Sequence, residues 1–180
     1  MGQTMPSFII DESIATFRGQ KRLAEKALVQ LADEHFRHAL SPDTNSIAVV
    51  IKHLAGNMVS RWTDLLTTDG EKPERDRDGE FVDTFASRSE IMLCWEGGWN
   101  CLFRALDALD DDDLMKTVST RGQPNTVAWA IMRQIGHYGY HVGQIVQTAR
   151  ILVGDRWQVI TIPKGGSKAF YERITSQPAP

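Results

Sequence analysis

The feature that most restricts the fold is a run of apolar residues at spacings of three and four in the region 126–153. The residues of this run share one face of a helix: Ile131, Ile135, Tyr138, Val142, Ile145, Ala149 and Leu152. Such spacing is typical of an amphipathic α-helix, and a helix of this kind gains most of its stability by packing. The chain is therefore expected to be built from packed helices.

Three other stretches show the same periodicity, and with the first they predict helices at about 8–40, 45–67, 85–109 and 126–153. We predict an all-α fold, a four-helix bundle with a long crossover connection, in a single domain covering 1–180. Asn45 or Ser46 can cap the second helix, and Asn125 or Thr126 the fourth.

The remaining segments lack a helical period. The segment 114–126 can hold a short extended piece, and the C-terminal tail is predicted to be short and non-helical.

Composition and local signals narrow the class of protein. No apolar run approaches the roughly 20 residues that span a bilayer, and the N-terminus lacks the pattern of a signal peptide, so we expect no membrane contact and a cytoplasmic location. A formal charge of -3 without a basic stripe argues against nucleic acid as a partner. Cys94 and Cys101 are separated by about 10.5 Å along one predicted helix, too far for a disulfide, and are expected to be free thiols.

The strongest chemical signal is a set of three histidines. His137 and His141 are one turn apart on the fourth predicted helix and border its apolar face, while His53 takes a similar position on the second. Three neutral imidazoles suit zinc, nickel or iron and leave a coordination position open. The alternative is that each ring bonds a backbone carbonyl or a carboxylate. His35 and His38 fall at the predicted end of the first helix, where a capping role is expected.

Two stretches carry a family resemblance: "NSIAVVIKHLAGNMVSRWTDLLTTDGEKP" on the second predicted helix and "RQIGHYGYHVGQI" on the fourth. The chain resembles the DinB/YfiT-like superfamily of bacterial four-helix-bundle proteins, in particular a branch of unknown function. The resemblance implies one divalent metal ion, Zn, Ni, Fe or Mn, bound by His53, His137 and His141. It also implies that the protein forms a homodimer. Its activity would be that of a metal-dependent transferase or isomerase, with a low-molecular-weight thiol such as bacillithiol or mycothiol as co-substrate, or that of a hydrolase-like enzyme.

Three further residues are candidates for a supporting role. Glu96 falls on the apolar face of the third predicted helix and can act as proton acceptor or hold a histidine; a salt bridge to Arg133 or Arg61, or simple exposure, is the alternative. Asn57 and Gln144 can orient a histidine or contact substrate. The acidic loop "DRDGE" at 76–80 lacks the spacing of a calcium loop and is interpreted as solvated.

The sequence thus predicts a divalent-metal-binding protein, either a metal-dependent hydrolase or a transferase that uses a low-molecular-weight thiol, with a small molecule as substrate. The alternative is a non-catalytic dimer stabilised by its metal, or a protein that responds to metal or stress.

Overall fold

The computed structural model describes residues 8–176, of which most are helical. This part of the chain contains five α-helices: α1 (Phe8–Leu28), α2 (Ile47–Trp62), α3 (Arg88–Asp107), α4 (Val127–Val153) and α5 (Ser167–Thr175). Two short strands, β1 (Thr117–Thr120) and β2 (Gln123–Thr126), pair antiparallel in a hairpin that leads directly into α4. The short extended piece predicted within 114–126 is therefore confirmed. The predicted domain of 1–180 extends beyond the described residues.

The four long helices meet around an aromatic cluster to which each contributes one ring. Phe17, Trp62, Trp99 and Tyr138 come from α1, α2, α3 and α4, and each is at most 2% exposed. Four of their ring pairs have centroids between 5.7 and 6.5 Å apart, within the range of favourable aromatic contacts. Around this cluster α2 packs against α3 and α4, and α1 packs against α4 and α3. The contact between α2 and α4 brings the histidines together.

Side-chain caps begin three of the long helices. Ser46 accepts a hydrogen bond from the backbone N–H of Val49, and Thr126 accepts one from Trp129, so the structure selects one of the two predicted residues in each case. Ser87 caps α3 in the same way. The predicted bounds of α4 are confirmed to within one residue, because this helix has both a cap and a long regular period.

The predicted ends of the first two helices are wrong. The second was expected to reach about residue 67, but α2 ends at Trp62. The first helix was expected to continue to about residue 40, but α1 ends at Leu28, and a separate 3₁₀ turn, Asp33–Phe36, buries Phe36 completely. Nδ1 of His35 accepts the N–H of Ala32 in that turn, so a local side-chain bond replaces the continuing helix. His35 therefore caps this turn and not the end of α1.

The tail contains α5, which contradicts the prediction of a non-helical tail. None of the residues of α5 is buried, and with nine residues the helix is too short to show a long apolar period in the sequence. No helix in residues 8–176 has the length and apolar character needed to cross a membrane.

A long connection, residues 63–87, joins α2 to α3 and folds back over the side of α2. It is fixed to the hairpin by Asp69, whose carboxylate accepts hydrogen bonds from the Ser119 hydroxyl and from the backbone N–H groups of Arg121 and Gly122. Further along, the connection forms a 3₁₀ turn, Gly79–Phe81, that lies against α2. This turn delivers a carboxylate to the histidine site.

Candidate metal centre

Three histidines from two packed helices converge. His53 lies on α2 and is buried, while His137 and His141 are partly buried on α4. Nε2 of His137 lies 3.4 Å from Nε2 of His53 and 3.2 Å from Nε2 of His141. One ligand atom from each of the three lies within 4.8 Å of the others, so the cluster can hold a metal ion.

The outward-facing nitrogens of the three rings each contact an oxygen. Nδ1 of His53 lies 2.9 Å from Oε2 of Glu80, and Nδ1 of His141 lies 2.7 Å from Oε1 of Gln144. Nδ1 of His137 lies 3.2 Å from Oε1 of Gln134. Because an ionised carboxylate and an amide oxygen only accept hydrogen bonds, each Nδ1 carries the proton. The Nε2 lone pairs of all three rings are therefore left facing one another.

The local environment keeps two of these rings neutral. Burial, followed by the charges of His141 and His53, lowers the pKa of His137 from 6.5 to about 3. Burial also lowers the pKa of His141, although its hydrogen bond with Gln144 works in the opposite direction. The neutral imidazole is the form that binds metals, so the lowered pKa of each of these two rings favours the metal-binding form.

The two short distances between Nε2 atoms fit a tetrahedral metal. With Zn–N bonds of about 2.0–2.1 Å, the edge of a regular tetrahedron is about 3.3–3.4 Å, close to the 3.2 and 3.4 Å between the Nε2 atoms here. Three converging lone pairs repel one another, and a cation between them removes that repulsion. An ion held by these three histidines would have one tetrahedral position open, as in catalytic zinc sites.

Two aromatic rings border the histidines on the solvent side. Phe81, 42% exposed, stacks on the ring of His53 with centroids 4.9 Å apart. Tyr140, 64% exposed, lies edge-on to His141 at the same centroid distance, and its hydroxyl accepts a hydrogen bond from Gln144. That hydrogen bond fixes the Gln144 amide so that its oxygen faces His141.

Glu80 is held by a bidentate ion pair as well as by His53. Nε of Arg75 lies 2.6 Å from Oε1 of Glu80, and another guanidinium nitrogen of Arg75 lies 2.8 Å from Oε2. Burial raises the pKa of Glu80, but the hydrogen bonds from His53 and Arg75 and the charge of Arg75 outweigh it, so the net pKa is lowered. The carboxylate is thus ionised, as a histidine-orienting acceptor needs to be.

The ion-pair chain continues away from the histidines. Arg75 also binds Glu71, and Glu71 in turn pairs with Arg61 of α2 and with Arg121 at the tip of the hairpin. This chain of charges therefore attaches the 63–87 connection to α2 at His53 and at Arg61, and to the hairpin at Arg121. Fixing the connection in this way holds Glu80 at His53.

A glycine on α2 makes room for Glu80. A Cβ atom at Gly56 would lie 2.3 Å from Oε1 of Glu80 and 2.8 Å from its carboxyl carbon, closer than real Cβ contacts. Gly56 is one turn after His53, so the absence of a side chain there lets the carboxylate cross the helix to reach Nδ1 of that histidine.

The structure treats the three predicted supporting residues differently. Gln144 lies against His141, as described above. Asn57 is buried and accepts a hydrogen bond from the Tyr138 hydroxyl, so its contact is with the aromatic cluster. The side chain of Glu96 is 46% exposed and pairs with Lys21 of α1 at 2.9 Å, which replaces the predicted partners Arg133 and Arg61.

Two supporting residues, Gln134 and Glu80, are missing from the sequence-based prediction, and only one of them could have been found by spacing. Gln134 is three residues before His137, the mirror of the spacing between His141 and Gln144, so the same local argument identifies it. Glu80 lies in the "DRDGE" loop, and the interpretation of that loop as solvated is wrong for this residue, which is 6% exposed. No periodicity marks it, since it reaches His53 across 27 positions of chain through tertiary packing.

Fold and site together define a mostly helical protein in which three histidines from two helices can hold a metal ion. The chain belongs to the family described as "Protein of unknown function (DUF1572)", whose model matches residues 5–166. Comparison with curated proteins and with solved structures gave no match.

Proposed function

We propose that this protein is a DinB/YfiT-like four-helix-bundle protein that binds one divalent metal ion through His53, His137 and His141. The arrangement of α1 to α4 around one aromatic cluster supports the bundle assignment, with the 63–87 connection as a long link between α2 and α3. The observation that carries the metal proposal is that three protonated Nδ1 atoms face oxygens while three Nε2 lone pairs converge.

We further propose that the ion is catalytic and that the protein is a metal-dependent hydrolase or a transferase that uses a low-molecular-weight thiol. A site with three protein ligands and an open fourth position is the arrangement that catalytic zinc sites share, whereas structural zinc sites are closed by four. Partial exposure of His137 and His141 gives a small-molecule substrate access to that position.

When bound, such an ion supplies Lewis acidity toward a substrate carbonyl or stabilises an ionised thiol. Other side chains of the protein hold the three histidines in place. Glu80, Gln134 and Gln144 fix the tautomer and orientation of the three imidazoles. Phe81 and Tyr140 form an apolar rim where the body of a substrate can rest.

The donor set narrows the choice of ion. Three imidazole nitrogens suit zinc, nickel and iron, whereas manganese favours sites richer in oxygen ligands. Among Zn, Ni, Fe and Mn, the first three are therefore the better matches.

A non-catalytic role is the second candidate, and one observation favours it. His53 belongs to α2 and the other two histidines to α4, so an ion would cross-link two helices that already pack together. An ion in that position would stabilise the fold, or let it report metal availability, without any turnover.

A homodimer is part of the proposal, and the outer face of α4 supports it. This face carries an exposed stripe at helical spacing, formed by Trp129, Met132, Gly136, Tyr140 and Gly143. A Cβ atom at Gly136 or Gly143 would meet nothing within 4 Å, so a second copy could approach the helix closely here.

Elemental analysis of untagged protein tests the metal site. We expect about one equivalent of a transition metal in the wild type and almost none in the His137→Ala/His141→Ala double variant. The matched control is His35→Ala/His38→Ala, which removes two histidines outside the site and should keep the metal. Full metal content in the first double variant would refute the assignment.

Activity and stability measurements then separate the two roles. The catalytic role is supported if the protein turns over a thiol, ester or amide from a panel, and if a chelator abolishes this turnover while the fold persists. A large fall in melting temperature on chelation, with no turnover of any panel member, supports the stabilising role.

A further inference from the structure

A cavity of about 490 Å³ lies beside the metal centre but does not include it. Two of its walls are α2 and α3, which contribute Ala55, Gly56, Val59, Cys94, Gly97 and Gly98. The 63–87 connection closes a third side with residues between 72 and 80. Glu80 is shared: it lines the cavity and also contacts His53, whereas none of the three histidines lines it.

The cavity is not a gap that a small shift of the helices could close. At Gly98 a Cβ atom would lie 2.7 Å from Cα of Ala55, so the backbones of α2 and α3 are already in contact at that level. At neighbouring Gly97, by contrast, a Cβ atom would meet nothing within 4 Å. Protein interiors in general contain few voids larger than a water molecule, so a space of this size is a feature of the fold.

The chemistry of the walls selects the ligand. The two lysines at the cavity turn their ammonium groups to protein acceptors: Lys52 donates to the carbonyls of Gly79 and Val82, and Lys72 donates to Thr68 and Asp69. Their aliphatic stems remain as apolar wall.

The other charges at the cavity also favour an uncharged or cationic ligand. Arg75 is occupied by its ion pairs with Glu80 and Glu71. Glu74, by contrast, makes no hydrogen bond or ion pair with any residue in the described part of the chain and is exposed at the rim. An anionic ligand would therefore meet an exposed carboxylate at the rim, and the described cations that line the cavity are already bound to protein acceptors.

We infer that this cavity is a second binding site, for a small and mostly apolar molecule that is uncharged or carries a positive group. Its volume lies in the range of about 300–1,000 Å³ typical of small-molecule sites, and its walls are apolar with charged groups at the rim. The site shares Glu80 with the metal centre but includes none of its histidines, and it does not depend on the proposed function.

Binding of the neutral fluorophore N-phenyl-1-naphthylamine tests the inference. We expect saturable binding of one molecule per chain to the wild type and to the metal-site variant His137→Ala/His141→Ala. Binding to both proteins distinguishes this site from the metal centre, and failure of the metal assignment would leave it unchanged. Absence of saturable binding to the wild type would overturn the inference.

A matched pair of glycine variants locates the bound probe. Gly97 lines the cavity, and a Cβ atom there would meet nothing within 4 Å. Gly97→Leu should therefore occupy space in the cavity and weaken binding by about tenfold or more, because apolar pockets distinguish even one methylene by that much. Gly19→Leu, on α1 and outside the cavity, makes the same change and should bind the probe as the wild type does. Equal binding by the two variants would overturn the assignment of the cavity.

Cys94 provides an independent measurement. In a Cys101→Ser background, which leaves one thiol, a saturating concentration of the fluorophore should slow labelling of Cys94 by N-ethylmaleimide severalfold. An unchanged labelling rate at saturation would place the fluorophore elsewhere and overturn the inference.

Discussion

Oε2 of Glu80 lies 2.9 Å from Nδ1 of His53, and both side chains are 7% exposed. This contact joins the long connection between α2 and α3 to the candidate metal centre, because Glu80 comes from the 63–87 connection and His53 from α2. A buried carboxylate that accepts the outer N–H of a ligand histidine fixes its tautomer and raises its basicity. The predictions below begin from this pair.

Glu80→Gln should weaken metal binding by about 10–100-fold, the usual effect of losing an outer-shell acceptor. The amide keeps the shape of the side chain but gives up the negative charge that faces His53 and Arg75. Affinity is measured by competition with a chromophoric chelator. Glu96→Gln is the matched control, since Glu96 pairs with Lys21 on another surface. If Glu96→Gln weakened binding and Glu80→Gln did not, the sequence-based choice of Glu96 would be restored.

Gly56→Ala should reproduce much of the Glu80→Gln defect. The added Cβ would overlap the Glu80 carboxylate at 2.3 Å, so the carboxylate must move away from His53. Helix propensity alone favours alanine by about 1 kcal/mol, so a loss of metal affinity cannot come from a weaker helix. Gly19→Ala on α1, where the new atom meets only Arg22 at 4.0 Å, should leave affinity unchanged. In a Glu80→Ala background, Gly56→Ala should have no further effect on affinity.

The metal-free protein should lose stability as the pH falls below about 6.5. The pKa of His137 is lowered from 6.5 to about 3 in the folded protein, so between these values the unfolded chain binds a proton that the folded chain does not. Stability therefore rises with pH across this window and is lost as the pH decreases through it. Thermal unfolding at a series of pH values measures the slope of stability against pH. The slope should be shallower in His137→Asn but unchanged in His38→Asn, and equal slopes in all three proteins would contradict the prediction.

Asp69→Asn should destabilise the protein by about 1–2 kcal/mol, because an amide offers one acceptor oxygen in place of a charged pair. Hydrogen bonds from Ser119 and then from the backbone of Gly122 hold the pKa of Asp69 far below its usual range, so the carboxylate is charged at neutral pH. Denaturant unfolding measures the change in the free energy of unfolding. Asp78→Asn, in the same connection and without a side-chain capping bond, is the control and should be close to neutral.

Met132→Glu should convert a dimer into monomers if the outer face of α4 is the interface. Met132 is 72% exposed in the chain, so the charge costs the folded monomer little but would be buried against a second copy. Sedimentation velocity measures the oligomeric state. Met115→Glu, which changes a methionine that is 76% exposed outside α4, should leave the dimer intact. A wild type that sediments as a monomer would remove the dimer from the proposal.

Of the two helices that carry the histidines, α4 was located from sequence to within one residue, whereas α2 was predicted to end about five residues too late. The periodicity around Tyr138 predicted α4 to within one residue, and it set His137 and His141 on the same border of the apolar face. His53 followed from the same argument on α2. The bounds failed where the apolar spacing continued past a real end: Leu31 and Phe36 extend the pattern of α1, but the chain turns at Leu28 and buries Phe36 from a separate 3₁₀ turn.

Sequence by itself determined the residues that share a helix face, since that depends only on spacing along the chain and the geometry of the helix. Only tertiary structure decided which carboxylate reaches the site. Glu96 has the right kind of position on a helix but faces Lys21, while Glu80 sits in a loop without period and reaches His53 past Gly56. Contacts between distant segments depend on how elements pack and how loops fold over them, and neither is encoded in a local repeat.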